Sequence, residues 1–223
     1  MILYTAPLSV FGAKVQIALI EKGIVHQAIM VPYDRKRGYD PKHPEVLRVN
    51  PKRQVPVLID GDVGLFDSTQ IFEYLEDVRP IPPLWPRQPA ARAMARQLEL
   101  TADEVYFPHI IRLMGLQDTP DDPVAVAARA SAAAYYRQME EQLNDRDWLT
   151  GGYSFADIAF YMAALAGERM GAVLTADTPK LVAWRQRMTS RPAVLAVASE
   201  MARYLQSQVR PVPPWLMQAS DLR

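Results

Sequence analysis

The chain opens with a short apolar run, "MILYTA", cut off at Pro7, which predicts a buried strand. Over 10–23, "VFGAKVQIALIEKG", apolar residues recur at 11, 15, 18 and 19, and Gly23 closes the pattern as a helix C-terminus. "IVHQAIMV" predicts a second strand. A polar stretch over 32–44 carries the basic run Arg35-Lys36-Arg37, which reads as a solvated face, and "PEVLRV" predicts a short helix. "VPVLID" and "VGLF" predict two strands joined by a turn at Asp60-Gly61-Asp62. "DSTQIFEYLEDV" predicts a helix with Ile71, Tyr74, Leu75 and Val78 on one face. Residues 1–78 therefore read β-α-β-α-β-β-α, a compact α/β unit with a mixed sheet.

"RPIPPLWPRQP" follows, with five prolines in eleven residues, a stiff extended linker over 79–88. From 89 to 223 the composition is helical. Long Ala/Arg/Gln/Glu/Met-rich stretches span 89–117 and 122–145, and breaks at "GGYS", "TADTPK" and "SRPA" divide the rest into three helices. The expectation is a bundle of about five helices, with the last stretch, "VRPVPPWLMQASDLR", lying loosely over its surface.

Composition narrows the function. The 25 basic side chains balance the 25 acidic ones, which gives no pull toward nucleic acid. There is no cysteine, so a protein thiol nucleophile, a disulfide and a thiolate metal site are excluded. The three histidines, His26, His43 and His109, stand far apart, and no metal is expected. No apolar run reaches membrane-spanning length, and the start lacks the basic segment of a signal peptide. A cytoplasmic protein without membrane partners is the expectation.

Three stretches carry candidate chemistry. Pro56 stands before an apolar run, where it suits a strand start or a sharp bend. Asp67-Ser68 opens a helix, where unpartnered N–H groups either need a cap or can hold an anion. Ser9 lies between the first strand and first helix, as an N-cap or as a hydroxyl donor to an anion. "SFADIAF" places Asp157 three residues after Ser154, a capping-box arrangement with a structural role.

The layout and four local patterns resemble the glutathione transferase family. "SVFGAKVQIAL" is similar to its active-site turn, "NPKRQVPVL" to its cis-proline loop, "DSTQIFEYLED" to its acid-Ser pair, and "GGYSFADIAFY" to a buried helix start. The resemblance covers essentially the whole chain. It implies an α/β plus all-α protein: a thioredoxin-like glutathione-binding domain over 1–78 and an all-helical domain over 89–223. It implies that Val55, before a cis Pro56, meets the cysteinyl main chain of glutathione. Ser68 would take the γ-glutamyl carboxylate and Asp67 the amine, while Arg53 and Gln54 would face the glycine carboxylate.

Ser9 would then stabilise the glutathione thiolate, with Tyr4 and Thr5 as competing hydroxyls. Phe11, Tyr106, His109, Ile110 and Leu113 would wall a second-substrate pocket, with Trp215 as its cover. The family also implies a homodimer and a small hydrophobic electrophile as partner, with detoxification as the role. Conjugation, dehalogenation and ether cleavage all remain open. Some segments resemble the zeta class of isomerases, whose Ser-Ser-Cys run is here Ser9-Val10-Phe11. The same fold also serves as a non-catalytic interaction module, including in bacterial proteins that bind transcription machinery.

Overall fold

The computed structural model describes residues 1–34 and 38–220, so the basic run Arg35–Arg37 lies outside the described residues. These residues divide into two compact units. The first comprises Met1–Pro83 and Pro192–Arg210, the second Leu84–Arg191 and the residues from Pro211 onward.

The first unit holds β1 (Ile2–Thr5), α1 (Val10–Glu21), β2 (Gln27–Met30), α2 (Pro44–Val49), β3 (Val57–Asp60), β4 (Val63–Phe66) and α3 (Ser68–Val78). The strand order is β2-β1-β3-β4. Strand β2 is parallel to β1, as a helical crossover requires, and β3 and β4 are antiparallel neighbours. Each strand is four residues long, and β1 and the start of β3 are buried on both faces.

Helix α1 is not a one-sided amphipathic element. Val10, Gly12–Leu19 are all buried, because β1, α3 and a later helix pack around it. That helix is α9 (Pro192–Ser207), which returns from the far end of the chain to join the first unit. The helix ends as its sequence predicts. Gly23 adopts φ +62, its N–H donates to the Ile20 carbonyl, and the Ile24 N–H reaches back to Leu19. In α3 the buried face is Ile71, Phe72 and Leu75 rather than the expected stripe with Tyr74 and Val78. Tyr74 instead points its hydroxyl to Asp60, 2.9 Å away.

A buried cation ties α1 to the residues that follow α3. The Lys22 side chain has no exposed surface and its Nζ lies 2.6 Å from Glu76 Oε2. It also donates to the carbonyls of Arg79 (2.7 Å) and Pro82 (3.0 Å). A buried ammonium is tolerated only when its donors are satisfied, and here they are.

The second unit is helical: α4 (Pro89–Thr101), a π-helical turn (Ala102–Tyr106), α5 (Phe107–Met114), α6 (Pro123–Leu143), α7 (Phe155–Arg169), α8 (Pro179–Ser190) and α10 (Pro214–Ser220). Helix α7 is buried on all sides from Phe155 to Gly167. Its Asp157 carboxylate, fully buried, accepts from the Ser154 N–H and hydroxyl, the Leu149 N–H and Trp184 Nε1. Burial pushes this carboxyl up to about 6, while the four donors pull it back. The capping role expected for "SFADIAF" thus extends to docking α8. Helix α10 is an ordered element rather than a loose cover. Its Trp215 Nε1 donates to Glu168 Oε2 at 2.9 Å, and the Arg185 guanidinium stacks 4.5 Å from the Trp215 ring.

Replacing Lys22 by Met should leave Glu76 buried without its cation and lower the unfolding free energy by about 3 kcal/mol. Denaturant melts of Lys22→Met and of Lys22→Met/Glu76→Leu test this, and the double variant should recover most of the loss.

Candidate functional site

Strand register decides which loops meet. Tyr4 pairs with Val57, and Val57 with Phe66. The segments after β1, before β3 and after β4 therefore all leave the sheet at the same end. These are the segments that carry Ser9, Val55-Pro56 and Asp67-Ser68. All belong to the first unit.

Ser9 is the N-cap of α1, with extended backbone, and its Oγ accepts from the Gly12 N–H at 3.0 Å. The side chain is almost fully buried. A hydroxyl has one donor and two acceptor positions, so accepting from Gly12 leaves the proton free to donate elsewhere. Capping and anion stabilisation are compatible uses of the same oxygen. The competing hydroxyls are placed differently. Tyr4 sits in the cluster of Val46, Val55 and Val57; burial raises its phenol, with further effects from Glu45 (raising) and Arg48 (lowering) on α2. Thr5 is fully buried and its Oγ1 has no hydrogen-bond partner.

Gly12 explains how Thr5 and Ser9 fit together. A Cβ at Gly12 would lie 2.0 Å from Thr5 Oγ1 and 3.1 Å from Ser9 Oγ. No side chain can occupy that position without displacing both hydroxyls.

The loop before β3 is organised by Asn50, which the sequence reading gave no role. Its side chain is buried, donates to the Gln54 carbonyl at 2.6 Å and accepts from the Lys52 N–H at 2.9 Å. Arg53 within this loop is exposed and has φ 56, in the left-handed region that non-glycine residues rarely adopt. Gln54 is also exposed, whereas Val55 and Pro56 are buried, and the bond between them is cis.

Asp67 is the N-cap of α3, and its backbone is unusual, with φ 73 and ψ 127. Oδ1 accepts from the Thr69 and Gln70 N–H groups at 3.1 and 3.4 Å. Of the first-turn amides, the Asp67 side chain thus leaves the Ser68 N–H for another acceptor. Ser68 itself is buried at the first helical position. Two non-glycine residues at positive φ, Arg53 and Asp67, flank the same sheet end, where such strain costs about 1–3 kcal/mol each.

The expected second-substrate residues are not gathered in one unit. Phe11 is half-buried in the first. Tyr106, His109, Ile110 and Leu113 lie in the second. Tyr106, Ile110 and Leu113 have no exposed surface there, and only His109 among the four retains any. Tyr106 is a core residue: its hydroxyl lies 2.5 Å from that of Tyr136, which donates to the Ala172 carbonyl. A Cβ at Gly167 would lie 2.0 Å from the Tyr106 hydroxyl, so that glycine admits the ring. Burial pushes the Tyr106 phenol well above its usual range. Trp215 is held by Glu168 and Arg185 within the second unit.

A cavity of about 390 Å³ opens at the opposite end of the sheet, lined by Met1, Ile24, Asp60 and Arg79 among others. It holds none of the three motifs, so convergent chemistry and not volume marks the candidate site. Among the described residues no group of three or more His, Cys, Asp or Glu side chains could hold a metal. No described helix is long and apolar enough to cross a membrane.

Residues 3–83 match the glutathione S-transferase N-terminal domain and residues 97–192 the C-terminal domain of the same family. The chain belongs to the glutathione S-transferase family. A glutathione S-transferase from Rhodospirillum rubrum F11 superposes with a TM-score of 0.81 at 26% identity, covering 99% of this chain and 98% of that one. A glutathione transferase from Burkholderia graminis, solved with two glutathione molecules bound per subunit, gives 0.75 at 27% identity over 88% and 86% of the two chains. A stringent starvation protein A homolog from Histophilus somni is 25% identical over 213 residues, 90% of this chain and 91% of the relative.

Replacing Gly12 by Ala should cost about 2 kcal/mol through overpacking against Thr5 and Ser9. Gly115→Ala, where the nearest atom to the new Cβ is 4.0 Å away, should be close to neutral. Thermal unfolding of the two variants makes the comparison.

Proposed function

We propose that the protein binds glutathione at the convergent end of the sheet and activates its thiol for attack on a small hydrophobic electrophile. The single observation behind this reading is the register that sends Ser9, Val55-Pro56 and Asp67-Ser68 to one end. The glutathione-bound family structures support it. Residues 1–78 would form the glutathione-binding part, 79–88 the linker and 89–223 the helical part of the working enzyme.

In this reading Ser68 takes the γ-glutamyl carboxylate through its N–H and hydroxyl, where the helix N-terminus favours an anion. Asp67 meets the ammonium through Oδ2, since the two cap bonds use Oδ1. Val55 offers its main chain to the cysteinyl unit as a short strand pair. Arg53 and Gln54, both exposed, face the glycine carboxylate. Ser9 donates to the sulfur. A free thiol of ordinary pKa, about 8.5, is mostly protonated at neutral pH, and each unit of lowering requires about 1.4 kcal/mol. One charge-assisted hydrogen bond is of that size. Phe11, half-buried in the first unit, would contact the electrophile. A cytoplasmic homodimer acting in detoxification is part of the same proposal, with conjugation, dehalogenation and ether cleavage as its reaction classes.

A second reading keeps the fold as an interaction module without chemistry. It is favoured by relatives whose name, stringent starvation protein A homolog, states no transferase reaction. It is also favoured by Asp67 and Ser9 both serving as helix caps.

Isothermal titration with glutathione separates the two. The transferase reading expects saturable binding that weakens about tenfold in Ser68→Ala, the loss of one charge-assisted hydrogen bond. It expects Ser9→Ala to retain binding of S-methylglutathione but to lose about tenfold or more in turnover at neutral pH. No binding by folded wild-type protein would leave the interaction module as the better reading.

A further inference from the structure

Lys14 is a buried cation for which neither the helix pattern nor the site described above accounts. It lies on α1, three residues after Phe11 and so on the same helix face. Its side chain has no exposed surface. Its Nζ sits 5.4 Å from the centroid of the Phe11 ring and 5.4 Å from that of the Phe72 ring. Phe72 is a core residue of α3 with no exposed surface, whereas Phe11 is half-buried. All three belong to the first unit.

The two rings lead to two parts of the candidate site. Phe11 stands two residues after Ser9, in the first turn of α1. Phe72 stands four residues after Ser68, one turn into α3 and on the same face. A ring face carries negative partial charge, so an ammonium within about 6 Å of its centroid is attracted to it, more strongly when both are out of water. An apolar side chain could fill the same space without burying a charge; what the ammonium adds is attraction to both rings. We propose that Lys14 is a positioning residue that ties the Phe11 ring to the fixed Phe72 ring and so presents Phe11, already oriented, as the wall that recognises an aromatic electrophile.

A ring already held in place gives up less conformational freedom when an aryl group packs on it, and the difference appears as affinity. Aromatic pairs gain beyond their buried area in offset-stacked or edge-to-face geometry, so ring orientation matters more for an aryl ligand than for an aliphatic one. The small hydrophobic electrophile is thereby narrowed to the aryl class. The inference rests on glutathione binding at the convergent end, with Phe11 facing the electrophile. The Lys14 ammonium has further contacts besides those two rings, so the Phe11→Ala background is what isolates the ring contact.

The test is calorimetric titration with S-methylglutathione and S-phenylglutathione of wild type, Lys14→Met, Lys14→Arg, Phe11→Ala and Phe11→Ala/Lys14→Met, with thermal melts to verify folding. The expected result is a wild-type preference for the phenyl conjugate that falls about fivefold in Lys14→Met, while S-methylglutathione affinity stays within about twofold. Lys14→Arg, which keeps a cation over the rings, should restore the preference. In the Phe11→Ala background Lys14→Met should change nothing further. If Lys14→Met does not fold, Phe72→Leu cuts the same tie at its other end and should show the same selective loss. No wild-type preference, a preference that survives Lys14→Met or Phe11→Ala, or a Lys14→Arg protein that behaves like Lys14→Met overturns the inference and leaves glutathione binding intact. Equal weakening of both conjugates does the same, since it marks a purely structural lysine. Wild-type protein that binds neither conjugate overturns the glutathione reading, and the inference falls with it.

Discussion

The pairing of Tyr4 with Val57 and of Val57 with Phe66 is the constraint on which the candidate site depends. Three segments far apart in sequence reach one sheet end only in this register. A slip by one residue would turn Tyr4 and Val57 to opposite faces and separate Ser9 from the loops that flank it. The register is held by burial. Leu3, Val57 and Leu58 have almost no exposed surface, so any slip would expose apolar side chains to water. What lies beyond the strand ends is then determined by local geometry: the Asn50-stapled loop, the two positive-φ residues and the two helix caps.

The α1 N-terminus shows how little freedom that geometry leaves. Gly12 lets Thr5 and Ser9 approach the helix, and Ser9 caps it while retaining a proton to donate. A helix cap contributes about 1 kcal/mol, comparable to what one hydrogen bond to a thiolate requires. The structural role and the proposed chemical one therefore fall on the same atom at Ser9 and on the same side chain at Asp67, whose Oδ1 caps α3. Neither role by itself distinguishes a transferase from a binding module. Their convergence at one sheet end is what favours ligand binding.

Much of this was legible in the chain. Every strand and most helices follow from short apolar runs and their breakers, and Gly23, Pro56, Asp67 and Ser154 each mark a boundary for a local chemical reason. Partners were less legible. The α1 pattern looked one-sided because periodicity does not record that α3 and α9 pack against its other faces. Tyr106 looked like a pocket wall, but the Gly167 vacancy that buries it lies sixty-one positions along the chain. The same holds for Lys22 and Glu76, which form a buried pair that nothing in their sequence spacing marks. Asn50 acts through hydrogen bonds that depend on loop conformation, for which its residue type carries no periodic signal.

The most direct measurement is a crystal structure of this protein with glutathione. Binding at the convergent end predicts the γ-glutamyl carboxylate on Ser68, the cysteinyl main chain against Val55 and the sulfur within hydrogen-bond reach of Ser9 Oγ. Glutathione bound away from this end, or seated there with its sulfur turned from Ser9, would contradict the central claim.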